Sequence, residues 1–250
     1  MDNDIIPIVH SLGADTAADQ GAIFFENVVN ENTASPRNLI IHEIMGRHCG
    51  WLTAATAKKY RDRLAERSFS SEILLHPLNW DIDAVYIPEM KINLEEEGAR
   101  LLKKMDKKGC VSIFLSESAC VNEIVSEMER MEKNIQRDAF GHVRLDDINP
   151  GQWFANQFSE FIDAEKTLVQ KSGYFARSAS PNNFDINLIK ESASLAVQSV
   201  LDSKSGIIGM DTENDGILSL IEFERIKGGR AFDPETKWFK DMLIDIGQLS

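Results

Sequence analysis

Thirteen consecutive residues, NLIIHEIMGRHCG at positions 38–50, restrict the possible fold more than any other part of the chain. The apolar run that ends at Met45 reads as a strand, a Gly46-Arg47 turn follows it, and an alanine-rich helical pattern starts directly afterwards at Trp51. A strand that feeds a glycine turn and then a helix is the first half of a βαβ unit, which predicts a parallel sheet with crossover helices. The same junction has a chemical consequence. Backbone N–H groups, the positive end of a helix dipole and the Arg47 guanidinium are expected to meet at one point, and such a point suits a phosphate.

Apolar strands alternate with amphipathic helices along the rest of the chain. Helical spacing is read over residues 15–30, with Gly21 as a weak spot, and over residues 51–67, 153–164 and 186–202. The acidic triplet Glu95-Glu96-Glu97 makes a favourable first turn for a helix over 94–108 that Gly109 stops, and a further helix follows the strand at 111–115 and runs through Met131. Strands are expected at 39–44, 84–87, 111–115 and 167–169. The fold class is therefore α/β, a Rossmann-like, mostly parallel sheet with helices on both faces.

In such sheets ligands sit beyond the carboxyl ends of the strands. The candidates at those positions are Met45, Gly46 and Arg47, then Glu117, then Tyr174 with Arg177, together with Asp2 and Asp4 at the start of the chain. Singly, each has an ordinary explanation, since strand-end carboxylates commonly cap helices and a lone arginine is commonly a surface charge. Together they form a coherent chemical set: a base, two cationic clamps, a carboxylate for sugar hydroxyls and a phenol for a phosphate oxygen.

A formal charge of −13 over 250 residues excludes a nucleic-acid binder, because a polyphosphate backbone needs a basic surface. Small phosphorylated ligands need only two or three well-placed arginines. No apolar run approaches the roughly 18 residues that span a bilayer, and no signal peptide is read at the N-terminus, so a cytoplasmic protein without membrane contact is expected. Three widely spaced cysteines, Cys49, Cys110 and Cys120, point to reduced and packed thiols.

One motif competes for attention. Asp211, Glu213, Asp215, Gly216 and Glu222 nearly fit a calcium-binding loop, with Glu213 off pattern. Glycines interrupt the segments on either side, and the stretch reads better as two strands joined by an Asn-Asp-Gly turn. Among the histidines, His42 lies within the strand and is expected to be packed, while His10, His76 and His142 show no ligand spacing.

MDND, EIMGRHCG, LSE and KSGYFARSASPNNFD, in this order, resemble the acceptor half of the 6-phosphofructokinase family, in particular its pyrophosphate-dependent members. The run DNDIIPIVHSLGADTAADQGAIFFENVVNE and the closing IEFERIKGGRAFDPETKWF are similar to the same subgroup, so the likeness extends over nearly the whole chain.

The resemblance implies roles residue by residue. Asp2 falls on the family's catalytic base and Asp4 on the second acid of that motif, near magnesium. Met45, Gly46 and Arg47 match the sugar-phosphate signature, with Arg47 neutralising charge on the phosphoryl group in transfer. Glu117 matches the carboxylate that grips sugar hydroxyls, and Tyr174 and Arg177 match the pair that binds the 6-phosphate. The implied fold is phosphofructokinase-type, the cofactor Mg2+ and the partners fructose 6-phosphate and pyrophosphate, in a homodimer or homotetramer working in glycolysis.

Two matches are missing, since an arginine expected upstream of the signature aligns on Asn38, beside Arg37, and a second aligns near Leu168, with Lys171 close by. The resemblance further implies that residues 1–250 are the acceptor side only. The family's glycine-rich donor loop and Pro-Lys-Thr segment would precede Asp2, and the isolated chain is expected to be inactive. An ATP-dependent relative and a non-catalytic sugar-phosphate-binding subunit are the alternative readings.

Overall fold

In a computed structural model, which describes residues 2–69, 76–131 and 148–249, eight strands and eight helices are defined among the described residues. The strands are β1 (Ile5–Ile6), β2 (Asn38–Ile44), β3 (Ala84–Tyr86), β4 (Cys110–Ser116), β5 (Lys166–Lys171), β6 (Ile207–Asp211), β7 (Ile217–Ile221) and β8 (Lys227–Gly228). The helices are α1 (Ala14–Val28), α2 (Trp51–Glu66), α3 (Leu94–Lys108), α4 (Val121–Arg130), α5 (Pro150–Ser159), α6 (Gly173–Arg177), α7 (Asn183–Leu201) and α8 (Lys237–Asp245).

Four strands form one wholly parallel sheet in the order β3-β4-β2-β5. The register pairs Asn38 with Cys110 and Lys166, and Ile44 with Ser116, so the ends of β2, β4 and β5 lie level. Every residue of β2 and β4 is buried, because helices cover both faces of the sheet. Ile40, Ile44, Val85 and Phe114 face one layer, which holds Phe25 of α1, Leu52 and Tyr60 of α2, and Phe239 and Met242 of α8. Leu39, Ile41, Tyr86, Val111 and Ile113 face the other, with Leu101 and Met105 of α3 and Phe154 and Phe158 of α5.

Local chemistry sets the helix limits. The Asn93 side chain accepts hydrogen bonds from the N–H groups of Glu95 and Glu96, the acidic triplet fills the first turn of α3, and Gly109 closes the helix at φ 72°. Gly21 is a point of close approach, not a weak spot. A Cβ there would stand 2.7 Å from the Thr56 Cγ2 atom, so α1 and α2 pack as closely as they do because the side chain is absent.

The stretch considered for calcium is an antiparallel hairpin of β6 and β7, as its turn residues predict. Asp211 accepts two hydrogen bonds from the Arg225 guanidinium at 2.7 and 2.8 Å, and Glu213 pairs with the same group at 2.8 Å. Helices α6 and α8 and the pairing of β1 with β8 were not read from the sequence. Phe239, Met242, Leu243 and Ile246 of the α8 region are nevertheless spaced as one helical face, a signal that was present. His142 lies outside the described residues.

Candidate functional site

Beyond the end of β2 the chain passes through buried Met45 into Gly46, whose φ is +145°. A Cβ at Gly46 would stand 2.7 Å from the carbonyl oxygen of Cys49, so the turn requires glycine. The Gly46 carbonyl accepts hydrogen bonds from the hydroxyls of Ser118 (2.6 Å), in the turn after β4, and Ser116 (3.2 Å), the last residue of that strand. In return, the Gly46 N–H donates to the Glu117 carboxylate at 3.1 Å, and the Glu117 N–H donates to the Ile44 carbonyl at 2.9 Å. The ends of β2 and β4 are thereby laced together, and Glu117 is aimed at the turn. Sequence reading had marked Glu117 but neither serine, although both belong to the LSES run at the strand end.

Burial pushes the Glu117 carboxyl above the usual carboxylate range; the Gly46 N–H opposes that shift, the Asp2 carboxylate adds to it, and Arg177 opposes it. Asp2 and Arg177 therefore both stand within electrostatic reach of Glu117. Arg177 is on α6, the short helix after β5, and its Nε donates to the Met45 sulfur at 3.4 Å. Asp2, Met45, Gly46, Glu117 and Arg177 are thus brought together from the N-terminal segment and the ends of three adjacent strands. Tyr174, on the same five-residue helix, is 88% exposed, and Arg47 is exposed on the turn.

The expected cradle at the start of α2 needs correction. The Gly50 N–H there donates to both oxygens of the Glu89 carboxylate, at 2.9 and 3.1 Å, and the Phe232 N–H donates to the same carboxylate at 2.8 Å. A carboxylate from the end of β3 already meets that donor and the helix dipole, so the cationic character of the site rests on Arg47 and Arg177. Cys49 is packed as expected. It is 1% exposed, and burial pushes its thiol up to about 11. Of the other thiols, Cys110 is buried and Cys120 half-buried, and all three are unpaired.

Asp4 is half-buried, and its carbonyl accepts the Arg230 N–H at 2.9 Å. Among the described residues, no three His, Cys, Asp or Glu side chains converge as a cation site needs. The described residues therefore do not by themselves build the expected magnesium site. Arg37, at the opposite end of β2, donates to the carbonyls of Ile162 and Asp163 at 2.7 and 2.6 Å and to Asp106 at 3.0 Å. Asn38 is fully buried and donates to the Glu31 and Ser35 carbonyls. Among the described residues no helix is long and apolar enough to cross a membrane.

A parallel α/β sheet with helices on both faces, its candidate residues near the carboxyl ends of neighbouring strands, is a Rossmann-like fold, in which ligands sit at those ends. The phosphofructokinase family matches residues 1–200, and the chain belongs to that family. It is 54% identical over 248 residues to the pyrophosphate–fructose 6-phosphate 1-phosphotransferase of Methylomonas methanica, covering 99% of this chain and 61% of that protein. To the protein of the same name from Mastigamoeba balamuthi it is 52% identical over 248 residues, covering 60% of that relative. The chain thus spans about three fifths of the length of these curated relatives. The crystal structure of a pyrophosphate-dependent phosphofructokinase from Marinobacter aquaeolei matches 98% of this chain and 57% of its own, with a TM-score of 0.60 at 18% identity, which is a likeness of fold.

Proposed function

We propose that residues 1–250 form the fructose 6-phosphate side of a pyrophosphate-dependent phosphofructokinase. The observation that carries this reading is the gathering of Gly46, Glu117, Asp2 and Arg177 at the level ends of β2, β4 and β5. The names of the relatives supply the reaction, transfer of a phosphoryl group from pyrophosphate to fructose 6-phosphate.

In that reaction the Asp2 carboxylate takes the proton of the sugar's 1-hydroxyl as its oxygen attacks phosphorus. One P–O bond of pyrophosphate breaks as the new one forms, orthophosphate leaves, and the products are fructose 1,6-bisphosphate and phosphate. Arg47 neutralises charge that spreads over the transferring group. Ionised Glu117, fixed by the Gly46 N–H, accepts hydrogen bonds from sugar hydroxyls. Arg177 and Tyr174 hold the 6-phosphate, one by charge and one by its phenol. Transfer requires both substrates to be positioned, and the residues gathered here act on the acceptor. The proposed setting is a cytoplasmic homo-oligomer in glycolysis, with magnesium accompanying the donor.

Titration calorimetry with the purified chain tests the reading. Fructose 6-phosphate is expected to bind saturably while fructose gives no heat. Equal heats from both sugars, or none from either, would sink the proposal.

A further inference from the structure

His42 sits in the middle of β2 with no exposed surface. Its ring stacks on Phe25 at 5.5 Å between centroids and 7° between planes, meets Phe114 edge-on at 5.0 Å, and has Phe24 at 5.4 Å. Enclosure among aromatic rings lowers its pKa to about 3, so the imidazole is neutral at any working pH. Its Nε2 lies 2.8 Å from the Ser172 hydroxyl, and its Nδ1 has no hydrogen-bond partner among the described residues.

A wholly enclosed imidazole with one nitrogen unpartnered fills this place less favourably than an aliphatic side chain would. What distinguishes it is one directional link out of the aromatic cage. Ser172 is 2% exposed and immediately precedes α6. Its carbonyl accepts the Ala176 N–H at 2.9 Å, the first turn of that helix, and its N–H reaches the Glu43 carbonyl at 3.4 Å. The far end of α6 is held by the Arg177 contact with Met45. Helix α6 is therefore tied at its start to residues 42–43 of β2 and at its end, through Arg177 itself, to Met45 just beyond that strand, with Tyr174 between the two ties.

We propose that His42 is a positioning residue for recognition of the sugar's phosphate group: through Ser172 it sets the place of α6, and hence the directions of Tyr174 and Arg177. This rests on the assignment of those two side chains to the 6-phosphate. A helix of five residues has little stability of its own, so its orientation depends on such anchors. The neutrality of His42 keeps the anchor from changing with pH.

The test is fructose 6-phosphate binding by calorimetry, with backbone amide exchange across α6, on the full 250-residue chain and its variants. S172A removes the hydroxyl at little cost in volume, H42L removes the ring nitrogen, and H42Q carries an amide to the place of Nε2. Loss of one hydrogen bond is expected to weaken binding about 3- to 10-fold in S172A and in H42L, with faster exchange in α6 and unchanged exchange in β4. H42Q is expected to stay near wild type, and H42L/S172A to bind no more weakly than either single variant. Wild-type affinity and exchange in S172A overturn the inference, as do losses that multiply in the double variant. If H42L does not fold, S172A and H42Q decide alone. A wild-type chain that holds no fructose 6-phosphate overturns the functional reading and this inference together, whereas wild-type binding with an indifferent S172A overturns the inference alone.

Discussion

The Gly46 N–H donates to the Glu117 carboxylate at 3.1 Å, across the gap between two parallel strands and 71 residues of sequence. The bond does two things at once. It holds in place a carboxylate that burial disfavours, and it fixes the glycine turn on which Met45 and Arg47 depend.

Gly46→Ala should break this arrangement. The added Cβ would stand 2.7 Å from the Cys49 carbonyl at a φ that side chains rarely adopt, so the turn must shift. A stability loss of about 1–3 kcal/mol is expected, with at least about tenfold weaker fructose 6-phosphate binding. Chemical denaturation and calorimetry on the same preparation check both.

Glu117→Gln should trade function for stability. Because the folded-state pKa of Glu117 is raised, the unfolded chain loses its proton first as pH rises above about 4.5, and ionisation then favours unfolding. A neutral amide at this position carries no such penalty. The variant should therefore be more stable than wild type at pH 7 and lose that advantage as pH falls below the unfolded value. Its sugar-phosphate affinity should drop by about tenfold or more, as expected for loss of a charged acceptor. Urea titrations at pH 7 and pH 4 would expose an error in the sign.

Arg177→Met should separate binding from folding. The residue is exposed, so stability should stay within about 0.5 kcal/mol. Loss of a charged partner for the 6-phosphate should weaken fructose 6-phosphate about 10- to 100-fold. An unchanged affinity would remove Arg177 from the site.

His42 should make the protein acid-sensitive. The folded state keeps the ring neutral down to about pH 3, while the unfolded chain takes up a proton near pH 6.5. Unfolding is then favoured as pH falls through that window, by at most ~1.4 kcal/mol per pH unit. Between pH 7.5 and pH 5.5 the wild type should lose more stability than H42Q, measured by urea unfolding.

Calcium should leave the melting temperature unchanged. The carboxylates of Asp211 and Glu213 already face the Arg225 guanidinium, which takes the place a cation would need. An upward shift in a thermal melt with millimolar calcium would contradict this.

Local pattern alone determined most of the framework. The limits of α3 follow from Asn93, the acidic triplet and Gly109, because caps and turns are made by neighbours in sequence. The parallel sheet follows from apolar runs that alternate with amphipathic helices, and the hairpin of β6 and β7 from its Asn-Asp-Gly turn. Glu117 and Gly46 could be singled out because they closely follow strand ends, which is a local property, and Arg177 because it lies in the segment after β5.

Which of them meet was decided by tertiary structure. Strand order and level register bring the ends of β2, β4 and β5 together, and both depend on how helices pack on the two faces of the sheet. The start of α2 was misread for the same reason. Its N–H group is a local feature, but Glu89, which caps it, arrives from β3, 39 residues away. The link from His42 to Ser172 spans 130 residues and joins β2 to the junction between the adjacent β5 and α6, so no local pattern could reveal it. Hydrogen bonds between distant segments follow from packing, and packing is a property of the whole chain.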